Sequence, residues 1–256
     1  MDKKKALIVT HEMNPYIIYT AMADIARQLP EQLQNEGMEI RILMPKFGVI
    51  NERRHRLHEV VRLSGINIVV NNDDFPLIIK VASLPGARMQ VYFLDNEDYF
   101  KRKGVFEDEE EEMYNDNAER TIFFCKGVLE TVKKFGWPPD IVHCHGWMSS
   151  LIPMYLKTAY KNEPVFQNSK IITSIYANTF KGKLATKFTQ KAQVKDGIDE
   201  AALAPFTKAD NTALSIGAAA HSDGIVIGSE KIEKKVEDFI RKEINVPIKE
   251  FVDIPF

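Results

Sequence analysis

Cysteine is almost absent: the 256 residues hold two, Cys125 and Cys144, both inside apolar segments. Two thiols cannot build a disulfide framework, so a reduced, cytoplasmic setting is expected. Long apolar runs are missing as well. The basic start Met1-Asp2-Lys3-Lys4-Lys5 is followed only by residues 6–9 (ALIV) before Thr10 and His11, too little for a signal-peptide core. No later stretch approaches the ~18 apolar residues of a membrane span, so no membrane association is expected. Net charge is low: 34 Lys and Arg stand against 36 Asp and Glu, leaving −2, which gives no global attraction to nucleic acid or an anionic surface. Finally, no glycine precedes Gly37. A loop that cradles a nucleotide phosphate needs glycine for close approach of its N–H groups, so residues 10–19 are not expected to form one.

What is present has the balance of a folded protein, with 45% hydrophobic and 27% charged residues. At ~150 residues per domain the length fits one large α/β domain or two small ones. Residues 6–10 (ALIVT) read as a buried strand, because a parallel strand covered on both faces need not alternate. Met22, Ile25, Ala26, Leu29 and Leu33 recur at helical spacing, and Gly37 is placed to end that helix. Residues 39–45 (EIRILMP) are the next strand, completing a βαβ unit. Between 66 and 95 several short β runs predict a hairpin excursion beside the main sheet. Ala118, Ile122, Cys125, Leu129 and Val132 mark an amphipathic helix. Beyond it the pattern predicts strands over 140–145, 170–176 and 224–229 and helices over 149–160, 201–220 and 231–242. The alternation predicts an α/β fold with a doubly wound, mostly parallel, Rossmann-like sheet and no internal repeat.

In such a fold ligands gather outside the carboxyl ends of the strands. His143 and His145 lie two apart on a strand, so their imidazoles share a face at its end. A metal would need a third ligand from Glu12 or Asp116. Paired histidines are more often hydrogen-bonded pocket residues, so neither metal nor cofactor is expected, and a substrate-facing role stays open beside simple packing. Asp116 and Asn117 begin the amphipathic helix, where they cap it, face a cleft to bind sugar hydroxyls, or do both. Trp147 is either core or an aromatic surface for a sugar ring. The six acidic residues at 107–112 read as a solvated loop, with an interaction surface as the alternative. No Ser/His/Asp or Cys/His signature is present, and Cys144 points away from the two histidines.

Several ordered motifs resemble the N-terminal half of the bacterial glycogen synthase and starch synthase family. Residues 10–16 (THEMNPY) resemble its S/T-x-E-M-x-P-Y opening, and Ala23-Asp24 and Leu29-Pro30 its A-D-V and A-L-P signals. Residues 41–48 (RILMPKFG) resemble R-V-x-x-P-x-Y-G, and 93–100 (FLDNEDYF) resemble L-D-x-x-x-Y-F. Residues 114–120 (YNDNAER) resemble Y-x-D-N-x-x-R, and 142–151 (VHCHGWMSSL) resemble V-H-A-H-D-W-H-T-x-L. The resemblance is strong to about residue 160 and weak beyond. It implies a GT-B N-terminal-type domain over 1–256 and retaining transfer of glucose from ADP-glucose to the non-reducing end of an α-1,4-glucan. Asp116 and His145 would then be catalytic, near the transferred sugar, with Glu12, Tyr16, Asn117, His143 and Trp147 binding substrate.

The departures bear on activity. Ile17-Ile18-Tyr19-Thr20-Ala21 stand where the family carries K-x-G-G-L, a loop that helps bind the nucleotide sugar. Gly146 and Met148 replace the Asp and the last His of H-x-H-D-W-H, and residues 176–182 (YANTFKG) keep only the glycine of H-N-x-x-Y-x-G in register. The family's second Rossmann domain, with most ADP contacts and the Lys, Arg and Glu that stabilise the transition state, is expected to be missing. Without those groups, transfer loses electrostatic stabilisation of the leaving diphosphate. The expectation is an impaired or partner-dependent transferase, acting as a homo-oligomer or with a separate second-domain partner. The alternative is a non-catalytic module that binds glucan or a protein.

Overall fold

The computed structural model describes residues 3–177, 180–194 and 197–251. Strand β1 (Lys5–Val9) leads through helix α1 (Met22–Asn35) to β2 (Glu39–Pro45), the unit read from the sequence. The chain then passes α2 (Glu52–His55) and β3 (His58–Glu59) to the hairpin of β4 (Ile66–Val70) and β5 (Asp73–Ser83). Asn71 and Asn72 join those strands with φ of 50° and 74°, the left-handed pair that a two-residue hairpin turn requires. Next come β6 (Gln90–Asp95), α3 (Glu97–Phe100) and the 19-residue α4 (Asn117–Phe135). After β7 (Ile141–His145), a 3-10 turn (Trp147–Ser149) enters α5 (Leu151–Lys157), and β8 (Lys170–Ile175) follows. The last third holds α6 (Phe188–Ala192), α7 (Glu200–Leu203), α8 (Asn211–Ala220), β9 (Gly224–Ile227), α9 (Lys234–Glu243) and β10 (Ile248–Lys249).

Among the described residues the sheet runs β10-β9-β8-β7-β1-β2-β6-β5-β3, with β4 added to β5. From β10 through β6 every pairing is parallel; β3, β4 and β5 are antiparallel. The chain builds outward from β1 in one direction, through β2 and β6, then returns to build the other way from β7. The strand order therefore reverses between β1 and β7, and in doubly wound sheets the ligand crevice opens at that switch point. The expected α/β, mostly parallel sheet with a hairpin excursion is the one observed. β1 is covered on both faces, with Ala6, Leu7, Ile8 and Val9 all fully buried. A second, smaller core joins Ile175, Ala219, Ile225, Ile227, Val236 and Ile240 under α9.

Two helix expectations need correction. The helix read over 149–160 is a 3-10 turn followed by the seven residues Leu151–Lys157. The helix read over 201–220 is two: α7 runs into a 3-10 turn at Ala204–Phe206, and α8 starts afresh after Asp210, whose side chain accepts from Ala213 N. The break lets Phe206 fold back on α8. A Cβ on Gly217 would stand 2.3 Å from the Phe206 ring, so the ring and the helix meet only because position 217 is bare.

Candidate functional site

β1 and β7 are hydrogen-bonded neighbours, with Ile8 opposite His143 and Val9 opposite Cys144. Their carboxyl ends therefore release the two loops that matter, Thr10-His11-Glu12 and Gly146-Trp147, side by side. The Thr10 hydroxyl donates to the Glu12 carbonyl (2.7 Å) and accepts from the Glu12 amide (3.3 Å). That brace turns the buried Glu12 carboxylate toward the start of α1. There it accepts from the amides of Tyr19 (3.0 Å) and Thr20 (2.8 Å) and from the Thr20 hydroxyl (3.2 Å). The N–H groups ahead of a helix attract an anion, and in this chain the anion is its own side chain. Burial raises the Glu12 pKa above the ordinary carboxyl value, while the amide bonds pull against that shift.

His143 and His145 share one face of β7, with ring centroids 4.1 Å apart, as their spacing predicts. His143 Nε2 meets the Ser174 hydroxyl at 2.8 Å, and His145 Nδ1 meets the Tyr176 hydroxyl at 2.7 Å. Both rings are buried, and so is His11. Burial lowers the pKa of His143 to about 4 and of His11 to about 3; His145 is pushed well down by burial and by its two histidine neighbours. All three are neutral imidazoles at neutral pH. His11 Nδ1 and His145 Nε2 are buried without a hydrogen-bond partner. Among the described residues no group of three or more His, Cys, Asp or Glu side chains is arranged to hold a metal ion.

Aromatic rings close the crevice. His11 lies 5.3 Å from Phe106 and 5.7 Å from Trp147, while Trp147 also packs on Phe106 and Phe180, each at 4.9 Å. Trp147 is thus buried in an aromatic cluster. Phe106 ties this cluster to α4, since its carbonyl accepts from Asn117 Nδ2 at 2.7 Å. Asn117 Oδ1 in turn takes a hydrogen bond from the fully buried Arg120, whose Nε donates to the Tyr99 carbonyl at 2.8 Å.

Asp116 occupies the N-cap position of α4, but its side chain caps nothing. Its two carboxylate oxygens face the guanidinium of Arg102, with Nη1 to Oδ1 at 2.7 Å and Nη2 paired to Oδ2. Of the two readings of Asp116, side-chain capping is therefore not what the structure shows; its carboxylate makes a two-point ion pair across the loop before α4. Tyr16 packs elsewhere, between His55 and Phe93. The structure thus gathers Glu12, His143, His145 and Trp147 at one strand-end crevice and links Asn117 to it through Phe106, whereas the Asp116 side chain is paired with Arg102. The acidic run at 107–112 forms a turn in which the Asp108 carboxylate accepts from the amides of Glu110 and Glu112, both at 3.0 Å. Its residues are exposed from Glu107 onward, which agrees with a solvated loop.

Sequence reasoning passed over His11, Arg102, Ser174 and Tyr176. Ser174 and Tyr176 carried a signal: they lie two apart at the end of β8, the strand beside β7, so they face the histidines. His11 and Arg102 lie in irregular segments where no periodicity speaks for them. The segment 176–182 contains Asn178 and Thr179, which fall outside the described residues.

The starch synthase catalytic domain family matches residues 5–242. The glycogen synthase of Chlorobium luteolum is 44% identical over 192 residues, 73% of this chain and 38% of that protein. The glycogen synthase of Chlorobium limicola is 40% identical over 224 residues, 86% of this chain and 44% of its own length. The chain therefore spans about two fifths of the curated relatives it matches. Among solved structures, the catalytic domain of Starch Synthase IV from Arabidopsis thaliana bound to ADP and acarbose superposes with a TM-score of 0.71. That match covers 89% of this chain and 45% of the other at 17% identity, a likeness of fold.

Proposed function

The chain belongs to the starch synthase catalytic domain family, and from that membership we propose that it forms the acceptor-side half of a retaining glucosyltransferase site. The reaction would move glucose from ADP-glucose to the terminal 4-hydroxyl of an α-1,4-glucan. The bond from the sugar C1 to the diphosphate breaks, the bond to the acceptor oxygen forms, and the hydroxyl proton leaves with the diphosphate. His145 is the first residue assigned a catalytic role. Its Nδ1 is fixed by Tyr176, and its Nε2 is buried without a hydrogen-bond partner, so the imidazole is neutral and held in one orientation. For a sugar hydroxyl to reach Nε2, the side chains that cover it would have to move apart. Asp116 is the second, a carboxylate held in one orientation by Arg102.

The observation that carries the reading is the convergence of Glu12, His143, His145 and Trp147 at the switch point between β1 and β7, where doubly wound sheets bind ligands. The groups that stabilise the departing diphosphate would come from a second domain, a partner chain or a second copy, since electrostatic stabilisation of that charge dominates such transfers.

One contact favours a second reading, a non-catalytic glucan-binding or protein-binding module. The amides of Tyr19 and Thr20, which a diphosphate would need, already hold Glu12. The deciding experiment measures transfer from labelled ADP-glucose to a malto-oligosaccharide, beside retention of the protein in a glucan-containing native gel. Transfer abolished in an Asp116→Ala, His145→Ala variant supports the first reading. Retention without transfer supports the second, and neither signal overturns both.

A further inference from the structure

Lys126 lies on α4, ten residues beyond Asp116 and so about 15 Å further along the helix at 1.5 Å per residue. It is only 7% exposed, yet no carboxylate pairs with it among the described residues. Two of its three ammonium protons go to backbone carbonyls, of Val69 at 3.0 Å and of Gln193 at 3.1 Å. A buried ammonium without a counter-ion is costly, and burial alone lowers its pKa to about 8.

Lys126 lines a groove of about 770 Å³ between the β4–β5 hairpin and α6. The walls are rich in amides: Asn67, Asn71 and Asn72 from the hairpin side and Gln190 from the other, whereas the Gln193 amide is already committed to the N–H and carbonyl of Ile198. Asn71 and Asn72 are the left-handed turn residues, so the hairpin tip itself presents two of them. Amides donate and accept at once, which suits vicinal hydroxyl groups, whereas one unpaired ammonium suits a single oxyanion. The other charged or titratable groups on the groove are largely committed. Glu130 is held by Tyr160 and Lys133, and Lys191 pairs with Glu119; Asp74 sits exposed on the hairpin.

We propose that this groove binds a small oxyanion carrying hydroxyl groups, with the anion on Lys126 and the hydroxyls on the surrounding amides. The site is separate from the strand-end crevice and independent of the transferase reading, because no sugar transfer enters its test. Binding supplies a counter-ion that none of the described residues provides, so it raises the lysine's proton affinity and takes up a proton near pH 8.

Titration calorimetry of the whole protein tests this with glycerol 3-phosphate, glycerate and, as the neutral control, glycerol. The two anions distinguish a phosphate from a carboxylate ligand. The expected result is binding of at least one anion at pH 8, with proton uptake seen as different heats in buffers of different ionisation enthalpy. Lys126→Met should weaken it tenfold or more. An Asn72→Ala, Gln190→Ala variant at the exposed rim, which leaves the buried lysine intact, should weaken it several-fold and serves if the methionine variant fails to fold. Absence of anion binding, equal binding of glycerol, or affinity unchanged in either variant would overturn the proposal.

Discussion

The imidazole of His11 sits where Gly146 has no side chain: a Cβ on residue 146 would lie 2.2 Å from His11 Cε1 and 2.7 Å from Nδ1. The two residues come from the ends of neighbouring strands and fit only because one of them is bare. Gly146 also holds a φ of +74° and a ψ of 169°, a conformation that side chains avoid. Gly146→Ala should therefore cost about 2–4 kcal/mol of stability, from overpacking and backbone strain together. Adding His11→Ala should return the steric share and leave the strain. In urea unfolding, a double-mutant cycle with no coupling between the two sites would contradict this account.

Acid should destabilise the protein early. His11 and His143 have folded-state pKa values of about 3 and about 4, below the ordinary 6.5, and His145 lies lower than 6.5 as well. The unfolded chain binds protons first, so these residues contribute stability that is complete above about pH 6.5 and is lost as pH falls toward the folded values. Each histidine gives a slope of about 1.4 kcal/mol per pH unit in that window. Glu12 acts in the opposite direction, because its raised pKa favours the fold as pH falls. The histidines outnumber it. Urea midpoints should drop between pH 7.5 and pH 5.5, and less so in His143→Asn; equal midpoints in the native protein would refute the sign.

Both thiols should be silent in the folded state. Cys125 is fully buried, donates to the Met148 carbonyl at 3.0 Å, and has its pKa raised by burial to about 12. Cys144 is equally buried and shifted well above the usual value. The thiolate is the reactive form, so a disulfide reagent at pH 8 should titrate none before denaturant is added and two afterward. Rapid native reaction of either cysteine would place it in an open crevice.

How much of this was legible in the sequence follows from what each feature depends on. β2 runs over Glu39–Pro45 as read, because a run buried on both sides needs no partner information to be recognised. The shared face of His143 and His145 is likewise a consequence of the two-residue period. The break between α7 and α8 did carry a local signal, which the reading of one helix over 201–220 passed over: Pro205 cannot sit inside a helix and Asp210 caps the start of a new one, while the alanine-rich flanks have helical propensity on both sides. The return of Phe206 onto Gly217 was not legible. The fit of His11 to Gly146 and the pairing of Arg102 with Asp116 join residues far apart in sequence through irregular loops. No local pattern encodes such contacts.

Arg102 should prove to be the positioning residue for Asp116. Nη1 reaches Oδ1 at 2.7 Å and Nη2 pairs with Oδ2, while Nη2 also donates to the Asp98 carbonyl at 3.1 Å and the guanidinium lies over the Tyr114 ring. Only a planar fork makes both carboxylate bonds at once, so Arg102→Lys leaves one oxygen free and the carboxylate able to rotate. Because the pair is partly solvated, with side chains 26% and 30% exposed, its loss should cost no more than about 1 kcal/mol of stability. The effect on ligand handling should be larger. If Asp116 works on the sugar in a fixed orientation, Arg102→Lys should lower glucan binding or transfer about tenfold with the urea midpoint nearly unchanged, and Asp116→Asn should abolish the difference between Arg and Lys at position 102. A fall in stability that matches the fall in activity would instead make the pair a structural clasp, with no part in orienting the carboxylate.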